Sequence, residues 1–251
     1  MRIVVIGGTG LIGTKLVAAL SATGHDALAA SRETGVNSFT GVGLAEALDG
    51  AEVVVDVSNS SYVDEGGARE FFEGSTLNLL TYGAAAGVKH HVALSVVGTE
   101  RLADSEQGYF RAKYEQEKLI RASRVPYSIV HTTQFFEFLR SIADAATSGH
   151  RVSVAHTVIQ PMAADDVADA VARTAVGAPV NGVVEFAGPQ QYRLDEIVRR
   201  ELAIASDPRE VVADPLARYF GNSLGEDELL PGSMATIAPT SFDDWLAAAG
   251  V

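Results

Sequence analysis

The chain has 251 residues, with 19 basic and 32 acidic side chains (net charge −13), 47% hydrophobic residues, mean hydropathy +0.14 and no cysteine. No basic stripe is available to neutralise phosphates, so nucleic acid and anionic membrane are not expected as partners. Without cysteine there are no disulfides, no thiolate catalysis and no Cys-based zinc site, which fits a cytoplasmic protein.

The opening is a buried apolar strand over residues 3–6, with Gly7, Gly10 and Gly13 three apart and an apolar helix over 11–23. It is too short and too broken by glycine for a signal peptide, and no run reaches the ~18 apolar residues of a membrane span. Strand, glycine turn and helix in that order suit a dinucleotide diphosphate. The glycines allow a tight turn, close approach of backbone N–H groups to phosphate, and close packing of helix on strand. Gly7, Thr9, Gly10, Leu11, Ile12 and Gly13 are the expected contacts.

Strands follow at 27–30, 53–57, 91–97, 127–131 and 183–187, with short ones at 152–154 and 158–159. Helices are predicted at 44–48, 70–86, 109–123, 135–147, 165–176, 194–204 and 242–249. The alternation predicts an α/β fold, a Rossmann-type doubly wound parallel sheet with helices on both faces. Beyond residue 207, Pro215, Pro231, Pro239 and several glycines break the pattern into a small C-terminal lobe. The expected division is a nucleotide-binding domain at 1–155 and a substrate-side lobe at 156–251 that partly returns to the main sheet.

The residue after the second strand meets the adenosine ribose in such sheets: an acid there selects NAD, an arginine accommodates the 2′-phosphate of NADP. Here the strand runs into Ser31 and Arg32, which favours NADP(H) over NAD(H). Ser58 and Asn59, in the run Ser58-Asn-Ser-Ser61 after the third strand, either line the cofactor trough or cap a helix.

Ser95 ends the fourth strand, and fourteen residues later Tyr109 and Lys113 stand at i and i+4 on one helix face. A phenol with a pKa near ~10 is a poor acid–base group at neutral pH unless a nearby ammonium favours its phenolate. Tyr109 would donate a proton to a carbonyl oxygen as hydride reaches carbon. Lys113 would tune Tyr109 and hold the nicotinamide ribose, and Ser95 would hydrogen-bond the carbonyl. The pair Tyr114 and Lys118 points about 140° away; Lys118, beside Glu115 and Glu117, reads as solvated surface. Gln134, Phe135 and Phe136 follow the strand at 127–131 and should border the substrate, the aromatics as an apolar wall and Gln134 as a polar handle. The six histidines show no metal-ligand spacing, so no metal is expected.

Gly7-Gly-Thr-Gly-Leu-Ile-Gly13, the Ser95 strand and Tyr109-Phe-Arg-Ala-Lys113 together resemble the short-chain dehydrogenase/reductase superfamily. Leu94-Ser-Val-Val-Gly98, Thr133-Gln-Phe-Phe-Glu137 and Pro161-Met-Ala-Ala-Asp-Asp-Val167 resemble its atypical branch, the NmrA-like NAD(P)-binding proteins. The resemblance covers most of the first ~205 residues. It implies NADP(H) binding and a Ser95/Tyr109/Lys113 catalytic group. One departure is that Asn37-Ser-Phe-Thr-Gly41 offers no Asp for the adenine. The expected function is an NADPH-dependent reductase of a small carbonyl or conjugated substrate. The alternatives are a non-catalytic NADP(H)-binding redox regulator and a quinone or flavin reductase that needs hydride delivery only. The sequence leaves the oligomeric state open.

Overall fold

A computed structural model describes residues 1–60, 65–103 and 108–249. In chain order the first half holds β1 (Arg2–Ile6), α1 (Leu11–Ala22), β2 (Asp26–Ala30), α2 (Leu44–Leu48), β3 (Val53–Asp56), α3 (Glu65–Ala86), β4 (His90–Val96), α4 (Tyr109–Ala122) and β5 (Tyr127–Thr132). The second half holds α5 (Leu139–Ala145), β6 (Thr147–Ser148), β7 (Arg151–Ala155), β8 (Val158–Ile159), α6 (Ala164–Val176), β9 (Gly182–Ala187), β10 (Tyr192–Arg193), α7 (Leu194–Ile204), β11 (Glu210–Asp214), β12 (Thr236–Ile237) and α8 (Phe242–Ala249).

The main sheet has seven strands in the order β12-β9-β5-β4-β3-β1-β2. Every pairing in it is parallel, with Ile3 opposite Val53 and Ser95 opposite His131. Strands covered on both faces read as unbroken apolar runs, and β3 is buried at every position. On one face Leu16 and Leu20 of α1 and Val167 and Val171 of α6 meet Ile3, Val5 and Val55. On the other, Leu79 of α3 meets Val4, Ile6 and Val54, while Ile120 of α4 meets Ala93 and Ile129. Each fully buried aliphatic side chain of this kind contributes roughly 1.5–3 kcal/mol. The strand order reverses between β1 and β3, and a crevice opens there at the carboxyl ends of the strands.

The lobe is a second layer with its own core, in which Phe136, Leu139, Val154, Leu194, Val211 and Phe242 come together. Its small sheet runs β11-β7-β6, and β8 pairs antiparallel with β10. The chain interleaves the two layers. Residues 136–155 belong to the lobe, α6, β9 and β12 return to the main sheet, and α7, β11 and α8 go back to the lobe.

Several elements differ from the sequence reading, among them the unpredicted two-residue strands β6 and β10. The helix predicted over 135–147 is a 3₁₀ turn, Phe136–Phe138, followed by the shorter α5. The cause is tertiary: Phe135 stays extended in a β-bridge with Met162, and Phe136 N donates to Met162 O at 3.0 Å. Thr147 leaves the helix to pair with Val152. The broken tail also contains two unpredicted strands, β11 against β7 and β12 at the sheet edge against β9.

Candidate active site

A cleft of about 1230 Å³ runs along the carboxyl ends of the strands and up to the lobe. Gly7, Thr9, Gly10, Leu11, Ile12, Ser31, Arg32, Ser58, Asn59, Ser95, Tyr109, Lys113, Gln134 and Phe135 all lie on its wall; Gly13 and Phe136 do not.

The β1–α1 turn forms one end. Gly7 adopts φ +79°, and a Cβ there would lie 2.9 Å from the backbone of Ser58. Gly10 is the N-cap of α1, no side chain caps the helix, and the first α-helical bond is Thr14 N to Gly10 O at 3.0 Å. The N–H groups of that first turn have no intrahelical acceptor, and with the helix dipole they suit an anion. Gly13 sits behind the turn, where a Cβ would come within 2.1 Å of Gly7 O. Its place is helix-on-strand packing rather than ligand contact.

Ser31 caps the 3₁₀ turn Arg32–Thr34, its Oγ accepting from Glu33 N at 3.2 Å in a capping box with Thr34. That leaves Arg32, exposed on the cleft wall, as the cation at this end. Ser58 Oγ donates to Asp56 Oδ1 at 2.6 Å. Asn59 Oδ1 accepts from Ser60 N at 3.0 Å and from the Tyr109 hydroxyl at 3.1 Å. Trough lining and local turn capping are thus combined in this loop; Ser61 lies outside the described residues.

Tyr109 opens α4, its ring edge-on to Phe72 at 5.9 Å. One turn on, Lys113 is buried, its Nζ donating to Leu94 O at 2.8 Å and Gln116 Oε1 at 2.5 Å, 4.5 Å from the centre of the Phe72 ring. Burial pushes its ammonium down to about 8, against the opposing pull of Asp56 and Glu117. Lys118, exposed, lies 5.2 Å from the centre of the Tyr114 ring and pairs with Glu115 at 2.6 Å.

Sequence reasoning missed Glu117. It extends the stripe Tyr109–Lys113 by one more turn and is buried. Its Oε1 accepts from Ser95 Oγ at 2.5 Å and from His131 Nε2 at 2.8 Å, and its Oε2 from Arg121 at 2.8 Å. Burial pushes the Glu117 carboxyl up, but the bonds from His131 and Ser95 and the charges of His131 and Arg121 hold it below the ordinary range. Burial disfavours the His131 cation, yet bonds to Glu117 and Glu185 outweigh this and raise its pKa. A serine has one proton to give. That of Ser95 goes to an ionised carboxylate, so toward the cleft its oxygen offers only lone pairs.

At the lobe end, Phe135 stacks on Phe138 at 5.2 Å, and Ile142, Val154, Leu194, Tyr219 and Phe220 make an apolar chamber with Arg218 on its wall. Phe136 turns away into the lobe core against Phe242 (5.3 Å) and Trp245 (5.5 Å). Sequence reasoning also missed Phe39 and Phe71, which stack at 6.4 Å in the wall beside Asn37 and Ser38. Among the described residues no cluster of His, Asp or Glu could hold a metal ion, and no helix is long and apolar enough to cross a membrane.

No family model matches this sequence, and no curated protein matches it. Solved structures do. MoeE5 in complex with UDP-glucose and NAD is similar over 98% of this chain and 96% of its own, at TM-score 0.72 and 17% identity. DesIV, the dTDP-glucose 4,6-dehydratase of Streptomyces venezuelae solved with NAD, covers 99% of this chain and 95% of its own at 0.71 and 19%. A dTDP-4-dehydrorhamnose reductase of Clostridium acetobutylicum covers 85% and 84% at 0.68 and 14%. Likeness at this level of identity establishes the architecture, a Rossmann-type α/β fold with a parallel central sheet flanked by helices.

Proposed function

We propose that this chain is a cytoplasmic NADPH-dependent oxidoreductase of the short-chain dehydrogenase/reductase superfamily, NmrA-like branch, acting on a small carbonyl or conjugated substrate. The observation that carries this reading is a single cleft joining an uncapped helix start, Tyr109 with Lys113, and an apolar chamber. The residues present fit a nicotinamide dinucleotide. The α1 N-terminus and Gly7 would hold the diphosphate, Arg32 a 2′-phosphate, and Lys113 the nicotinamide ribose. NAD is the dinucleotide in the MoeE5 and DesIV complexes; the preference for NADP(H) rests on Arg32.

When bound, the nicotinamide supplies the hydride. Tyr109 turns its hydroxyl from Asn59 to the substrate oxygen and gives up its proton there. Lys113, mostly charged at neutral pH with a pKa of about 8, favours the phenolate left behind. Ser95, its proton held by Glu117, orients the substrate as an acceptor and does not polarise the carbonyl. MoeE5 and the UDP-glucose 4-epimerase of Thermotoga maritima hold nucleotide sugars; the apolar chamber here favours a small substrate with little polar surface.

The committed proton of Ser95 also favours a second reading, a quinone or flavin reductase that delivers hydride alone. A redox regulator that only binds nucleotide would have no need of a buried lysine one turn from a tyrosine. Titration with NADPH and NADH, followed by a screen of ketones, enones and quinones at 340 nm, tests the proposal. Tyr109→Phe should lower kcat on ketones about 100-fold or more. Unchanged turnover would favour the hydride-only reading, and absence of nucleotide binding would end both.

A further inference from the structure

Behind the buried lysine of the cleft lies a buried carboxylate. Asp56 ends β3, and three donors point at its two oxygens. Ser58 N at 2.9 Å and Ser58 Oγ at 2.6 Å donate to Oδ1, and Gln116 Nε2 donates to Oδ2 at 3.0 Å. Gln116, also buried, accepts from Lys113 Nζ with its other end. Asp56 thus reaches the ammonium through a single amide. The loop that follows it touches the other member of the pair, since the Tyr109 hydroxyl donates to Asn59 Oδ1 at 3.1 Å.

The chemistry of the three groups permits one arrangement. A carboxylate only accepts, an ammonium only donates, and a glutamine amide accepts at its oxygen and donates at its nitrogen. Held between the other two, Gln116 has to turn its nitrogen to Asp56 and its oxygen to Lys113. An ammonium has three N–H bonds. Gln116 Oε1 takes one and Leu94 O another, at 2.8 Å, so the direction of the ammonium is fixed from two sides.

Charge acts along the same line. Burial opposes the Lys113 cation, and of the two carboxylates that resist it Asp56 pulls harder than Glu117. Tyr109 and Glu117 flank Lys113 one turn to either side on α4. His91 of β4 lies in the field of Asp56, but burial pushes its pKa down to about 4, so at neutral pH it adds no charge. A buried charge pair is often outdone in stability by apolar side chains of the same volume. What this one provides is a lysine kept charged and aimed.

We propose that Asp56 is a positioning residue for the Tyr109–Lys113 pair: it orients the Gln116 amide, whose oxygen fixes the Lys113 ammonium, and its charge keeps that ammonium protonated. The catalytic use of the pair rests on the reading above; the hold of Asp56 on Lys113 does not.

The test follows the ammonium itself. Besides Lys113 the chain has only Lys15, Lys89 and Lys118, so full-length protein labelled with ¹³C at the lysine ε carbons gives few NMR signals, and Lys113→Met identifies the one in question. In the wild type that signal should titrate with a midpoint of about 8. In Asp56→Asn, which keeps the shape and removes the charge, the midpoint should fall by about one pH unit or more. In Gln116→Met, which keeps the charge and removes the oriented amide, it should also fall, by less. Should Asp56→Asn fail to fold, Gln116→Met decides alone. Variants that lower Tm but leave the midpoint where it was would make Asp56 a structural support and overturn the proposal. With NADPH and a ketone, the decline of kcat toward alkaline pH should move down together with the midpoint; a decline that stays in place would overturn the role of Asp56 in turnover. If the midpoint falls and no ketone is reduced, the reductase reading fails while the hold of Asp56 on Lys113 stands.

Discussion

Replacing Lys113 with methionine removes a charge that folding forces out of water. Lys113 is 2% exposed, and burial lowers its pKa from 10.5 to about 8 despite Asp56 and Glu117. A drop of that size favours the unfolded chain by roughly 3 kcal/mol at neutral pH. Methionine removes this cost but leaves the Leu94 and Gln116 acceptors without their donor, at about 1 kcal/mol each. Lys113→Met should therefore be more stable than wild type at pH 7, by about 1 kcal/mol. The folded pKa is the lower one, so between about 8 and 10.5 the unfolded chain binds more protons and wild-type stability rises with pH. Above that window the lysine is neutral in both states. The variant then loses its advantage and becomes weaker by the two lost hydrogen bonds, about 2 kcal/mol. Urea unfolding of both proteins at pH 7 and at about pH 11 measures this crossover. A variant weaker at pH 7, by an amount that does not change with pH, would refute the reasoning.

Arg32→Ala should weaken NADPH by about tenfold or more while barely changing NADH, as read by fluorescence titration; equal losses would remove Arg32 from cofactor choice. Phe136→Ala opens the lobe core against Phe242 and Trp245, and should cost about 3–5 kcal/mol in urea unfolding without changing nucleotide affinity. His131 has a raised folded pKa, so its stabilisation is complete below the unfolded value of 6.5 and is lost as pH rises through the folded one. Glu117→Gln should flatten that decline in a Tm profile from pH 5 to pH 9 and lower stability on the acid side; an unchanged profile would show that the pair does not titrate with folding.

The strands that build the main sheet were legible because a doubly covered strand must be apolar at every position, as Val53–Asp56 nearly is. The glycine turn was legible because its spacing carries its geometry. The edge strand β12 was not, since Thr236 and Ile237 are both exposed and become a strand only because β9 offers them an unpaired edge. Glu117 was passed over because it stands in a run of charges with Glu115 and Lys118, of which Lys118 is exposed. Its own position, one turn past Lys113, already placed it on the inner face of α4. Phe136 looked like a pocket wall because the chain direction of an aromatic pair shows neither which ring turns inward nor what it meets. The link from Asp56 through Gln116 to Lys113 exists only as a relation between β3 and α4, which no local pattern encodes.

The interleaving of the two layers limits how this protein can be cut. A fragment ending near residue 155 would keep the glycine turn but lose α6, whose Val167 and Val171 cover the same core as Leu16 and whose Asp165 takes the ammonium of Lys15 at 2.8 Å. It would also leave β5, with its buried Ile129 and Val130, as a bare sheet margin in place of its pairing with β9. Such a fragment would meet water with the face that α1 needs hidden, and self-association would be its cheapest escape. The nucleotide-binding half is thus not an autonomous module to be grafted elsewhere, because its completion depends on residues from the far side of the sequence.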